Sequence, residues 1–238
     1  MAAQKQRISC EFFPPKTEDG TRKLLTEVAP ALNALGPEFF SVTYGAGGST
    51  RDSTLGVVSA LREAGIDVAP HLSFGGDDAS AVATLLETYQ SRGIKRLVAL
   101  RGDIPSGTGG AAQLVYANEL VEFVRKHSGD HFEIEVAAYP ETHPEAKSYD
   151  SDVRFLKAKL DAGANSAITQ YFYNVEGYFY FLDQCAAIGI DKPIYAGIMP
   201  ITSGKGMKRM AQLAAGSRYP AKLLRAIARC EGDESAIG

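Results

Sequence analysis

Seven short apolar runs end in polar side chains at intervals of about thirty residues, and each is followed by a helical pattern, the rhythm of strand–helix units. The ends read Glu11-Phe12-Phe13-Pro14-Pro15, Thr43-Tyr44-Gly45, His71, Arg101-Gly102-Asp103, Tyr139-Pro140-Glu141, Gln170-Tyr171 and Gly197-Ile198-Met199-Pro200. Strands that alternate with helices pair in parallel, because each crossover helix carries the chain back to the edge where the last strand began. Even spacing without a break predicts an α/β chain of the (β/α)8 TIM barrel class rather than an open doubly wound sheet. In that class the C-terminal strand ends converge on one face, and that face carries the chemistry. The polar strand-end residues are therefore expected to meet in one pocket.

The helices are legible as stripes at helical spacing. Leu24, Leu25, Val28, Leu32 and Leu35 form the first, and Val82, Leu85, Leu86 and Tyr89 another, with Asp77 and Asp78 as candidate N-caps. Leu114, Leu120, Val121 and Val124 form a third, Val153, Leu156 and Leu160 a fourth, and Tyr178, Phe181, Leu182 and Cys185 a fifth. A glycine closes a helix just before the next strand at Gly36, Gly65, Gly93, Gly163 and Gly189, where positive φ is expected. The longest irregular stretch, Gly102 to Ala112, reads either as a mobile loop over the pocket or as a tolerated surface insertion. No eighth strand is visible. After Pro220 a helix carries Leu223, Leu224 and Ile227, and a polar tail follows. The expectation is a single barrel domain over 1–238, C-terminally truncated by the loss of its last strand.

Composition narrows the function. The chain has 238 residues, 45% hydrophobic and 22% charged, as suits one domain with a large core. Its net charge of -3 argues against nucleic acid or an anionic membrane as partner, since both call for a basic excess. No apolar run approaches the ~20 residues needed to cross a bilayer. Three cysteines, Cys10, Cys185 and Cys230, are odd in number and far apart, which points to a reducing, cytoplasmic compartment. No Gly-x-Gly-x-x-Gly follows the first strand, so a Rossmann site is not supported, and no Gly-x-Ser-x-Gly elbow favours acyl transfer. A metal is disfavoured because His71, His127, His131 and His143 show no ligand spacing. His127 and His131, beside a helix end, read as surface residues.

Four segments hold candidate chemistry. Glu11 is flanked by Phe12, Phe13, Pro14 and Pro15, and a carboxylate among aromatics is costly to ionise, so its pKa is expected to rise toward that of a general acid. Arg101-Gly102-Asp103 sets opposite charges at one strand end, as a ligand clamp or as a local salt bridge. Tyr139 to Lys147 is polar, aromatic and stiffened by Pro140 and Pro144, which suits a binding loop. The run Tyr171, Phe172, Tyr173, Tyr178, Phe179 and Tyr180 is part core and part candidate platform for a flat ring such as a flavin or pterin.

Several motifs in order, from about residue 8 to residue 200, resemble the methylenetetrahydrofolate reductase family. They are Cys10-Glu11-Phe12-Phe13-Pro14-Pro15-Lys16, Ser41-Val42-Thr43-Tyr44-Gly45-Ala46, Ala69-Pro70-His71-Leu72, Ala99-Leu100-Arg101-Gly102-Asp103, the run from Ala137 to Lys147, and the run from Asp161 to Gln170. The resemblance implies an FAD-containing barrel that reduces 5,10-methylenetetrahydrofolate to 5-methyltetrahydrofolate. NADH or NADPH is the reductant, in a ping-pong sequence through reduced flavin. It implies Glu11 as the acid for folate N10, and Asp103 as a catalytic carboxylate near flavin and pterin. It implies Gln170 as an amide that contacts folate and nicotinamide in turn, and Thr43 as a nicotinamide contact. The implied FAD positions are Tyr44, Ala46, His71, Arg101, Gly102 and Asp103 in the first half of the chain. Tyr116, Ala117, Tyr139, His143, Ala146, Asp152 and Lys159 follow, with Lys159, Arg101 and His143 as partners for the diphosphate.

The chain departs from the family pattern at Phe155 and Ala158, where polar or basic FAD contacts are usual, and in Ser203-Gly204-Lys205-Gly206-Met207, where a folate-contacting glutamine can sit. The last-strand motif with its folate-binding arginine is missing. A reading from another class is therefore a non-catalytic flavin- or folate-binding barrel. Retention of Glu11, Asp103 and Gln170 favours the enzyme, because a binder has no need of the acid. A barrel lyase would want a Schiff-base lysine at a strand end, and Lys16 and Lys147 lie beyond the ends. The implied partners are small molecules, folate and a nicotinamide nucleotide; a homo-oligomer is left open.

Overall fold

A computed structural model describes residues 6–44, 51–74, 79–101, 116–214, 216–230 and 237. Among them seven strands hydrogen-bond in chain order, with β1 (Ser9–Phe12), β2 (Phe39–Val42), β3 (Val68–Leu72), β4 (Arg96–Ala99), β5 (Glu133–Ala138), β6 (Ser166–Thr169) and β7 (Ile194–Tyr195). Parallel pairing and strict chain order are the signature of strand–helix repeats. The expected α/β class with seven barrel-type strands holds. The chain forms two compact units, Met1–Glu135 and Val136–Gly238.

In the first unit, β2 and β3 are buried along their whole length, as strands covered on both faces must be. Phe39, Ala69 and Val98 pack together on one face of the sheet. The other face is covered by α3 (Arg51–Glu63), α4 (Ala79–Ser91) and α5 (Ala117–Ser128), which bury Val57, Val58 and Leu61, then Val82, Leu86 and Tyr89, then Leu120, Val121 and Val124. The helical stripe after β1 is not one regular helix. It runs as α1 (Glu18–Lys23), a π-helical turn at Leu24–Val28 and α2 (Ala29–Asn33). Pro30 has no N–H to close onto Thr26 and its ring crowds that carbonyl, so the turn widens and Ala29 N–H reaches back to Leu24 O. Asp77, Asp78 and Leu114, and the stretch Gly102 to Ala112, lie outside the described residues.

The second unit holds the end of β5, then β6 and β7, with α6 (Tyr149–Asp161), α7 (Val175–Ala187), α8 (Gly204–Leu213) and α9 (Ala221–Arg229). Ser148 caps α6 by accepting from Ser151 N–H at 3.1 Å, while Ser148 N–H donates to Ser151 Oγ at 3.0 Å. Asn174 and Ser203 cap α7 and α8 in the same way. Val153, Leu156, Leu160, Phe181 and Cys185 face the core. The five glycines expected after helices, Gly36, Gly65, Gly93, Gly163 and Gly189, all have positive φ, which explains why no side chain stands there. No helix among the described residues is long and apolar enough to cross a membrane.

Candidate functional site

Strand register builds the polar group of the first unit. Parallel pairing sets Glu11 on β1 opposite Ser41 on β2, and His71 near the end of β3 brings its Nε2 to 3.3 Å from Glu11 Oε2. His71 and Ser41 are buried, whereas the Glu11 side chain is half exposed. Loss of water raises the Glu11 pKa, but contact with His71, the charge of that ring and a hydrogen bond from Ser41 together outweigh it, and the net shift is downward. The rise expected from the flanking aromatics is therefore corrected. Phe12 points to Phe40, edge to face at 5.1 Å, and polar neighbours on the next strands reach the carboxylate. Ser41 carried a signal that could have been read, being the one polar position in an otherwise apolar β2.

Beside this trio two buried polar atoms, Thr43 Oγ1 and His71 Nε2, lack a satisfied hydrogen bond among the described residues. The Glu11–His71 contact is close enough for attraction but too poorly aligned to satisfy Nε2. A small cleft lies beside His71, lined by Tyr44, Arg51, Thr54, His71, Ser73 and Tyr89 among others. Thr54 Oγ1 donates to Thr43 O at 2.9 Å, so the β2 end is held from the start of α3. Arg101 is half-buried at the end of β4, and Tyr116 and Ala117 open α5, where Tyr116 N–H donates to Glu119 at 2.7 Å. Ala46, Gly102 and Asp103 lie outside the described residues.

In the second unit the Tyr139–Lys147 segment is tied down as a loop. His143 N–H donates to Asp152 Oδ2 at 2.7 Å, and Ala146 N–H donates to His143 O at 2.9 Å. Glu145 N–H donates to His143 Nδ1 at 3.1 Å, so that nitrogen carries no proton and a neutral ring must hold its proton on Nε2. Tyr139 meets the ring edge to face at 4.7 Å. Lys159, on α6, donates from Nζ to Ala137 O, and burial pushes its pKa down to about 8 against the pull of Asp152. Gln170 follows β6, and its Oε1 accepts from Tyr171 N–H at 3.0 Å. Much of the aromatic run is packed against itself: Phe172 stacks on Tyr178 at 4.6 Å, while Tyr171, Tyr173 and Tyr219 form a cluster. Ser217 and Tyr219, which touch Tyr171, were not singled out from sequence. His131 is not free at the surface, since its Nε2 lies 3.0 Å from Ile94 O.

In the first unit Thr43 Oγ1 and His71 Nε2 need polar partners, as the edge of a heteroaromatic ring would supply. In the second unit the His143 and Lys159 N–H groups suit an anion. A profile of the methylenetetrahydrofolate reductase family matches residues 1–238.

The chain belongs to the methylenetetrahydrofolate reductase family.

It is 42% identical over 215 residues to the 5,10-methylenetetrahydrofolate reductase of Escherichia coli strain K12, covering 90% of this chain and 71% of the relative. It is 40% identical over 244 residues to methylenetetrahydrofolate reductase (NADH) 1 of Arabidopsis thaliana, covering 97% of this chain but 41% of that protein. Among solved structures, tryptophan synthase from M. tuberculosis in its aminoacrylate-bound form matches with TM-score 0.54 and 13% identity, over 97% of this chain and 88% of that one. That likeness concerns the fold alone. The family membership makes the chain an oxidoreductase.

Proposed function

We propose that the chain reduces 5,10-methylenetetrahydrofolate to 5-methyltetrahydrofolate with NADH or NADPH, in two half-reactions through one bound FAD. The observation that carries this is the Glu11–His71–Ser41 trio beside two unsatisfied buried polar atoms, in a chain whose whole length matches the family. Thr43, Tyr44 and His71 would border the flavin ring, and His143 and Lys159 would hold the diphosphate, whose charge favours the protonated lysine. A flavin held there would supply the redox chemistry between the nicotinamide and the folate.

Glu11 acts on the folate alone. As the methylene bridge opens, its carboxyl gives a proton to folate N10. In the free protein the carboxylate is held ionised, so it gains its proton when substrate covers it and strips its remaining water, the influence already largest on it. Gln170 supports folate and nicotinamide in turn through its side-chain amide. Asp103 stabilises positive charge that develops on the opening bridge. The three free cysteines suit a reducing, cytoplasmic setting.

The test is sequential. The purified protein should be yellow with a flavin spectrum, should oxidise NADH or NADPH with menadione, and should then turn over methylenetetrahydrofolate. A colourless protein that takes up no FAD overturns the proposal. A flavinated protein active with menadione but inert with folate points to the non-catalytic alternative.

A further inference from the structure

The segment between α8 and α9 lies against the ends of β5 and β6, and the chemistry so far gives it no role. Gly216 rests on the β5 loop. A Cβ there would come within 2.9 Å of Thr142 O, and the φ of +89° at Gly216 already favours glycine. Thr142 itself has a φ of 72°, so the contact joins two constrained turns. Next, Arg218 N–H donates to Glu141 Oε2 at 2.7 Å. Two more bonds reach Tyr171, where Ser217 Oγ donates to Tyr171 O at 3.0 Å and the phenol oxygens of Tyr171 and Tyr219 lie 2.7 Å apart. Tyr171 is buried at 7% exposure, so its main chain has little room to move. Tyr171 N–H then donates to Gln170 Oε1 at 3.0 Å, and Gln170 N–H donates to Ala138 O at 2.8 Å.

That last pair settles the orientation of the Gln170 amide. A backbone N–H can only donate, so the atom facing it is the side-chain oxygen, and the NH2 group is left to meet a ligand. An amide held this way presents donors to a carbonyl or carboxamide oxygen, the acceptor that both a pterin ring and a nicotinamide carry. We infer that Ser217 and Tyr219 are positioning residues for substrate binding, which hold Tyr171 so that its N–H locks the Gln170 amide with its donors free. This rests on the proposed role of Gln170. Burial keeps Tyr219 protonated well beyond the ordinary tyrosine range, so the phenol pair persists at any working pH.

The test uses the flavin-loaded full chain and two readouts, the Michaelis constant for methylenetetrahydrofolate and hydrogen exchange at the Tyr171 amide. Tyr219→Phe keeps the ring and removes one hydroxyl; Ser217→Ala removes the other bond. Each should raise the Michaelis constant about 3- to 10-fold, the scale of one weakened hydrogen bond, with kcat within twofold and faster Tyr171 exchange. Gln170→Glu keeps an oxygen for Tyr171 N–H but loses the donors, so it should raise the Michaelis constant without faster exchange. In a Gln170→Ala background Tyr219→Phe should have no further effect on the Michaelis constant. Unchanged exchange in Tyr219→Phe and Ser217→Ala overturns the inference, as does faster exchange with an unchanged Michaelis constant. An added loss in the Gln170→Ala background shows that Tyr219 acts by another route, and also overturns it. If the wild type is flavinated but turns over no folate, the function itself fails, and the inference falls with it.

Discussion

Gly197→Ala is expected to destabilise the chain and to weaken substrate binding together. Gly197 lies two residues past β7 and donates its N–H to Thr169 Oγ1 at 2.9 Å. A Cβ built on it would fall 2.1 Å from Thr169 O, 3.2 Å from Thr169 C and 3.3 Å from Gln170 C. All three are backbone atoms, so no rotamer change relieves the overlap, and one chain must move by about 1.3 Å or more to reach ordinary contact. The φ of Gly197 is not in the left-handed region, so alanine loses nothing on conformational grounds and would even gain about 0.4–1 kcal/mol through the unfolded state. An overlap this deep against backbone sits at the upper end of overpacking costs, about 2–3 kcal/mol, so the net loss should be about 1–2.6 kcal/mol, or a fall in Tm of about 2–10 °C. Since the displaced peptide joins Thr169 to Gln170, the Michaelis constant for folate should rise as well. Urea and thermal unfolding of the purified variant measure the first effect and steady-state kinetics the second. The control is Gly56→Ala, on α3, where a Cβ meets nothing within 4 Å; it should stabilise by about 0.5–1 kcal/mol. A Gly197→Ala protein within ~0.5 kcal/mol of wild type would refute the close approach of the two strand ends.

Four further outcomes are expected. Glu11→Gln should keep FAD and the menadione reaction but lose folate turnover by ~10²-fold or more; equal loss in both would mean a structural or flavin-binding role. The same variant should flatten the acid limb of stability. A carboxylate with a lowered folded pKa stabilises above its ordinary value of 4.5, and that stability is lost as pH falls through the folded value, which pH-dependent urea unfolding reads. Lys159 has the opposite window. With its pKa at about 8 folded against 10.5 ordinarily, the unfolded chain holds a proton the folded one has shed, so stability should rise from pH 8 to 10.5; Lys159→Met should abolish that rise and weaken FAD binding in a fluorescence titration. Asp103→Asn should slow folate reduction and raise the flavin potential, because a nearby anion opposes adding electrons to the ring; spectroelectrochemistry that finds a lower or unchanged potential places Asp103 away from the flavin.

Local pattern determined the strands and most helices, because apolar runs of four to six residues and helical stripes are properties of neighbouring residues. The positive-φ glycines were legible for the same reason, since a helix end imposes its backbone demand on one position. Motif content carried the family. The π-helical turn was missed although Pro30 announced it, because an apolar stripe reads alike on either helix. The electrostatics of Glu11 were decided elsewhere. Its neighbour Phe12 points away to Phe40, and the groups that set its charge, Ser41 and His71, come from two other strands through register. Ser217 and Tyr219 are about 46 to 48 residues from Tyr171 in sequence and meet it only in the folded unit. Nothing in either segment encodes the meeting, because a contact at that separation depends on how strands and helices pack, and packing is a property of the whole chain rather than of any stretch of it.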